Sequence, residues 1–129
     1  MLQGPSHKIL IVDDDEFSLR LMEKYLVPAG YQVAKARDGV QALELLTHEV
    51  FDLLITDIRM PRIGGVRLLE ELRRRRRKPI PAIVATASDI DSDVQRSSLA
   101  AGALIFMVKP LDRDELLGAV ERAIGKVEG

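Results

Sequence analysis

"KILIVDDD", residues 8–15, decides the architecture. After Lys8 the run is Ile, Leu, Ile and Val with no polar alternation, as in a strand covered on both faces; a half-exposed strand would alternate. The aspartates end it at once, and Asp15 reads as the cap of a following helix. Four comparable runs lie downstream: "YQVAKA" (31–36), "FDLLIT" (51–56), "PAIVAT" (81–86) and "ALIFMV" (103–108). Between them the apolar residues fall at helical spacing. "FSLRLMEKYLV" places Phe17, Leu21, Met22, Tyr25 and Leu26 that way, and "GVQALELL", "GGVRLLEEL", "SDVQRSSLAAGA" and "DRDELLGAVERAI" read alike. Pro28-Ala29-Gly30 closes the first helix, Asp38-Gly39 opens the second and Pro79 closes the third. Asp112 caps the last, with Glu115 in capping-box position.

Strands that alternate strictly with helices predict a parallel sheet with helices on both faces, a single doubly wound α/β domain of five strand–helix units. The 129 residues, 47% hydrophobic and 30% charged, suit one globular domain and exclude a disordered chain. Cysteine is absent, which excludes disulfides and thiolate metal sites and fits a reducing compartment. No apolar run exceeds six residues, too short for a membrane span, and no signal peptide is legible. Residues 1–7, "MLQGPSH", read as a tag remnant, and Glu128-Gly129 as a scar.

The net charge of −1 hides an uneven distribution. Arg73–Lys78 holds six of the 19 basic residues, leaving 13 against 20 acids elsewhere. A nucleic-acid binder would be basic more broadly, so no specific nucleic-acid binding is expected. Val66, Leu69 and Leu72 form the apolar stripe of the third helix, and the arginines begin where it stops. Glu70 and Glu71 precede Arg74 and Arg75 by four residues, an order that favours ion pairs, and cations suit a helix C-terminus. The run reads as a solvated helix end at the amino ends of the strands.

Doubly wound folds gather ligands at the carboxyl ends of their strands. The first strand is followed by Asp13, Asp14 and Asp15, and the third by Asp57. The fourth ends in Thr86, and the fifth leads into Lys109-Pro110. Carboxylates sharing one cleft repel unless a cation sits among them, and an all-oxygen set without His or Cys favours a hard ion such as Mg²⁺. A lysine and a threonine hydroxyl alongside complete a phosphoryl-binding shell. Taken singly, each residue has a plainer reading: Asp15 as cap only, Thr86 as a strand former, Lys109 as a surface lysine, Phe106 as core. His7 and His48 look isolated, and neither is a ligand candidate.

Together "ILIVDDD", "DLLITDIRMP", "IVATAS" and "FMVKP", in this order and spacing, resemble the receiver domain of two-component response regulators over residues 8 to 125. The resemblance implies a flavodoxin-like sheet of order 2-1-3-4-5 and a receiver domain over 8–127. It implies that Asp57 is the phospho-acceptor, taking a phosphoryl group from a sensor histidine kinase or phosphotransfer protein. Asp13, Asp14, Asp57 and the Arg59 backbone carbonyl would hold Mg²⁺. Thr86 would bond the phosphoryl group, Lys109 would pair with its charge, and Lys109-Pro110 would be a cis peptide. Thr86 moving inward and Phe106 filling the vacated space would form the switch. Its readout would be the face made by the fourth helix, fifth strand and fifth helix, which could also form a homodimer. The resemblance further implies a cytoplasmic protein, an output domain in a longer chain, and no enzyme activity beyond its own phosphorylation and dephosphorylation. Phe106 departs from the Tyr common there, "RIGG" (62–65) lacks the usual acidic residue, and Arg59 and Ser88 stand where the family tunes hydrolysis. Two other readings are a phosphorylation-independent scaffold and a haloacid-dehalogenase-type phosphatase using Asp13 and Asp15.

Overall fold

In the computed structural model, which describes residues 7–75, 80–87 and 92–125, five strands and five helices alternate along the chain. They are β1 (Lys8–Val12), α1 (Glu16–Leu26), β2 (Gln32–Ala36), α2 (Gly39–His48), β3 (Leu53–Thr56), α3 (Gly65–Arg75), β4 (Ala82–Thr86), α4 (Ser92–Ala100), β5 (Ile105–Val108) and α5 (Arg113–Ile124). All strand pairs are parallel, in the order β2-β1-β3-β4-β5. This is the doubly wound α/β fold that the alternation of strands and helices predicts, in the flavodoxin-like order that the resemblance implies.

Period-two side-chain alternation explains why the central strands read as unbroken apolar runs. In β1, Ile9 and Ile11 point to one face, where they pack with Met22 and Leu26 of α1 and Leu116 and Val120 of α5. Leu10 and Val12 point to the other, against Ala42 and Leu46 of α2 and Leu68 and Leu72 of α3. Both faces are covered, so every residue of β3 and β4 is buried. The stripe of α1 is Leu19, Met22 and Leu26, while Phe17 stands 71% exposed. In α3 Leu68 joins Leu69 and Leu72 in the core, and Val66 is only half-buried.

Strands β3 and β5 begin two residues later than their apolar runs. Asp52 lies at the amino end of β1, its carboxylate accepting from the Lys8 N–H at 2.7 Å. Ala103 closes the end of α4, its N–H donating to Ser98 at 3.0 Å. Asp15, Asp38 and Asp112 cap α1, α2 and α5, accepting from the N–H groups of Ser18, Gln41 and Glu115.

The basic end of α3 is tied down locally. Arg74 and Arg75 both pair with Glu71, at 2.7 and 3.3 Å, so Arg74 turns to Glu71 and not to the expected Glu70. Arg76, Arg77, Lys78, Pro79 and Ser88 lie outside the described residues. Along α3, Arg73–Arg75 lie about 12–15 Å from Gly65 at the helix N-terminus.

Two glycines let the loops at the strands' carboxyl ends approach closely. A Cβ on Gly65 would lie 2.1 Å from the Asp57 carbonyl oxygen, and one on Gly39 2.5 Å from that of Ile63. Both obstacles are backbone and cannot turn aside. Gly118 in α5 is the contrast, since a Cβ there would meet only the mobile end of Arg122 at 3.8 Å. Gly65→Ala should therefore destabilise the fold by roughly 2–3 kcal/mol in urea unfolding. Gly118→Ala should stabilise it by about 0.5–1 kcal/mol. Equal effects at the two positions would contradict the packing described.

Burial would raise the Asp38 carboxyl, but the Gln41 N–H and the Arg62 guanidinium outweigh it and hold the group below the usual carboxylate range. A folded-state value below the unfolded one gives stability that is fully present above the unfolded pKa, about 4, and is lost as pH falls through the folded value. The stability difference between the wild type and Asp38→Asn, followed by urea unfolding from neutral to acid pH, should stay constant down to about pH 4 and then shrink. A difference that widens on acidification would contradict this.

Candidate functional site

Strand register brings the site together. Val12 of β1 lies beside Thr56 of β3, so the next residues, Asp13 and Asp57, emerge side by side, and the Asp57 N–H donates to the Val12 carbonyl at 2.9 Å. On the other flank Thr86 of β4 lies beside Val108 of β5, and the Lys109 N–H donates to the Thr86 carbonyl at 2.7 Å. Four strands therefore deliver Asp13, Asp57, Thr86 and Lys109 to one small cleft.

Contacts converge on Asp57, which is 8% exposed. Its Oδ1 accepts from the Thr86 hydroxyl at 2.8 Å and from the Ile58 N–H at 2.6 Å, with the Arg59 N–H at 3.4 Å. Its Oδ2 accepts from the Lys109 ammonium at 2.9 Å. The same ammonium donates to Asp13 Oδ2 at 2.5 Å, while Asp13 Oδ1 accepts from the Asp15 N–H at 3.0 Å. One cation thus bridges two buried carboxylates. Burial pushes the Asp13 carboxyl upward, against the pull of Lys109 and the Asp15 N–H. Burial would lower the Lys109 ammonium, but its bonds to Asp13 and Asp57 prevail and raise it, so it stays charged.

Asp14 completes an acidic group. It is exposed, and it offers a carboxylate oxygen that lies, with one each from Asp13 and Asp57, within 4.8 Å of the others. Two buried carboxylates and one at the solvent edge, all oxygen donors, fit a hard divalent ion that keeps part of its water shell. Asp15 belongs elsewhere: exposed, it accepts from the Ser18 hydroxyl at 2.9 Å and the Ser18 N–H at 3.3 Å as the cap of α1. That arrangement leaves the Asp13/Asp15 phosphatase reading without its second carboxylate in the cleft.

Other residues singled out in the sequence fall around this centre. The Lys109–Pro110 peptide is cis. Thr86 is 1% exposed and bonds Asp57 itself, so its contact with the cleft does not require a phosphoryl group. Phe106 is half-buried against the α2–α3 side of the core. Arg59 is exposed one residue beyond Ile58. His48 lies near Glu44 on the exposed side of α2, and His7 stacks at a tilt on Tyr31; neither reaches the cleft.

Two features have little signal in the sequence. An apolar groove lined by Phe17, Leu21, Pro110 and Leu111 runs beside Lys109. Arg62, one residue past Pro61, reaches across to Asp38 at 2.7 Å. The first hides within a helical pattern, and the second joins residues 24 apart.

Comparison with known proteins agrees with this geometry. The family described as "Response regulator receiver domain" matches residues 9–121. The transcriptional regulatory protein ZraR of Klebsiella oxytoca is 38% identical over 124 residues, 95% of this chain and 27% of its own length. The DNA-binding transcriptional regulator NtrC of Escherichia coli K12 is 38% identical over 117 residues, 90% of this chain and 24% of its own. The chain thus spans about a quarter of the length of these curated relatives. Among solved structures, a CheY-like response regulator receiver domain protein from Methanospirillum hungatei JF-1 superposes with a TM-score of 0.87 at 30% identity, covering 93% of this chain and 94% of that one. The receiver domain of a sensor histidine kinase from Pseudomonas aeruginosa PAO1, with a magnesium ion coordinated in its active site cleft, superposes at 0.85 with 29% identity, covering 95% and 100%. By fold, cleft and family match, the chain belongs to the response regulator receiver domains of two-component signalling.

Proposed function

We propose that this receiver takes a phosphoryl group onto Asp57 from a sensor histidine kinase or phosphotransfer protein, and that residues 8–127 constitute the domain. The observation that carries the reading is the double contact of Lys109 with Asp13 and Asp57, made while Thr86 occupies the other oxygen of Asp57. A cation and a hydroxyl are thereby aimed at one buried carboxylate, which also accepts from the Ile58 N–H.

An oxygen of the ionised Asp57 carboxylate attacks phosphorus in line as the bond to the donor's leaving atom breaks, giving an acyl phosphate on this side chain. Lys109 balances charge on the equatorial oxygens, and Thr86 donates its hydroxyl to one of them. Asp13, Asp14, Asp57 and the Arg59 carbonyl would hold Mg²⁺, which when bound neutralises phosphoryl charge. The acidic group supports this assignment, as does the magnesium of the Pseudomonas aeruginosa receiver. The chain acts on itself and on no other substrate. Exposed Phe17, in the groove beside Lys109, supports delivery of the phosphoryl group by a protein donor.

The switch rests on Thr86 and Phe106, with the α4-β5-α5 face as readout. Leu99, Leu104 and Val108 are exposed there, which supports a homodimer or an output domain as its partner. The transcriptional regulators among the relatives support an output domain in a longer chain. The receiver family implies a cytoplasmic site; no described helix is long and apolar enough to cross a membrane. The intramolecular pairing of Arg74 and Arg75 supports no specific nucleic-acid role for this domain.

Intact-mass measurement after incubation with acetyl phosphate tests the reading. The wild type should gain one phosphoryl group with Mg²⁺ and none with a chelator. Lys109→Ala should gain it about a hundredfold more slowly, the usual loss on removing one group that stabilises transition-state charge. A wild type that never gains the group would favour the phosphorylation-independent scaffold.

A further inference from the structure

The segment between Asp57 and α3 is held at both ends. At the near end the Ile58 N–H donates to Asp57 Oδ1 at 2.6 Å, and the Ile58 carbonyl accepts from the Gly65 N–H at 2.9 Å. At the far end the partners belong to a different helix from the one the segment enters. Arg62 donates from Nη2 and Nε to Asp38 Oδ2 at 2.7 and 3.2 Å. The next residue, Ile63, accepts from the Gly39 N–H at 3.1 Å. Two consecutive loop residues thus bond two consecutive residues at the head of α2.

Arg62 has a φ of 69°, the one positive value at a non-glycine among the described residues. L side chains avoid that region. A glycine would enter it freely, so an arginine there has to be held, and Asp38 holds it. Asp38 is a firm anchor: it is 8% exposed, and its other oxygen accepts from the Gln41 N–H at 2.8 Å. Moving it would uncap α2. Gly39 leaves no slack either, since a Cβ there would lie 2.5 Å from the Ile63 carbonyl oxygen.

We propose that Arg62 is a positioning residue: its ion pair with Asp38 latches the 58–64 loop to the head of α2 and so keeps the Ile58 N–H on the Asp57 carboxylate. For its effect on phosphoryl chemistry this rests on Asp57 being the acceptor. The latch itself does not. Loop release would withdraw a hydrogen-bond donor from Asp57 and loosen the backbone around Arg59, which the acceptor reading assigns to the metal. Phosphoryl uptake would then slow without loss of the fold.

A double-mutant cycle of Arg62→Gln, Asp38→Asn and the pair tests this, because Asn still caps α2 while losing the charge that Arg62 binds. Amide hydrogen exchange of the full chain, read at Gly39 and Gly65, should be about fivefold faster in each single variant, the size expected of a partly exposed ion pair. The double variant should exchange no faster than either, and amides within β1 and β4 should speed up by no more than each variant's loss of global stability in urea unfolding. Initial uptake from acetyl phosphate should fall alike in all three. Additive effects, or unchanged exchange at Gly39 and Gly65, would overturn the latch. A wild type that takes no phosphoryl group would remove the acceptor reading, and the exchange data would still decide the latch.

Discussion

The ammonium of Lys109 between Asp13 and Asp57 is the constraint on which the arrangement rests. Parallel strands in this order deliver two carboxylates, side by side and almost dry, to the same point. Unpaired, they would repel and expel each other's charge. The fifth strand ends where a lysine can reach both, and the Lys109 N–H is itself fixed to the carbonyl of Thr86. Sheet topology and site electrostatics are therefore one fact: the strand order that buries the core also brings one cation and two carboxylates together in the cleft.

The surrounding loops are kept close by residues with little chemistry of their own. Gly65 lets α3 start against the Asp57 carbonyl, and Gly39 lets α2 start against that of Ile63. Each removes a Cβ that would push a helix away from the strand ends. Asp38, capping α2 and receiving Arg62, ties the two loops together. The backbone beside Asp57 is in this way contacted from outside the cleft, by groups on the loop before α3 and at the head of α2.

Much of this was legible in the sequence. The apolar runs gave the strands because burial on both faces erases alternation, and the residue after each run gave the cleft. Asp13, Asp57, Thr86 and Lys109 are carried there by backbone register, which short-range pattern encodes. What escaped depends on side chains meeting across loops. The helical spacing read in the sequence takes in Phe17 and passes over Leu19, and the packed structure reverses both: Leu19 is buried and Phe17 is not. Glu71 taking both arginines and Arg62 reaching Asp38 are choices among equivalent partners that no local pattern ranks. The arginine run drew attention by composition alone, and its described members are paired or lie at the far end of α3 from the cleft.

The account stands on Asp57 being the atom source of the new bond to phosphorus. Borohydride reduces an acyl phosphate to an alcohol, turning the acceptor aspartate into homoserine, which peptide mass mapping locates. Applied to the wild type after acetyl phosphate and Mg²⁺, it should yield homoserine at position 57 alone. Homoserine at Asp13, Asp14 or Asp15, with Asp57 unchanged, would contradict it.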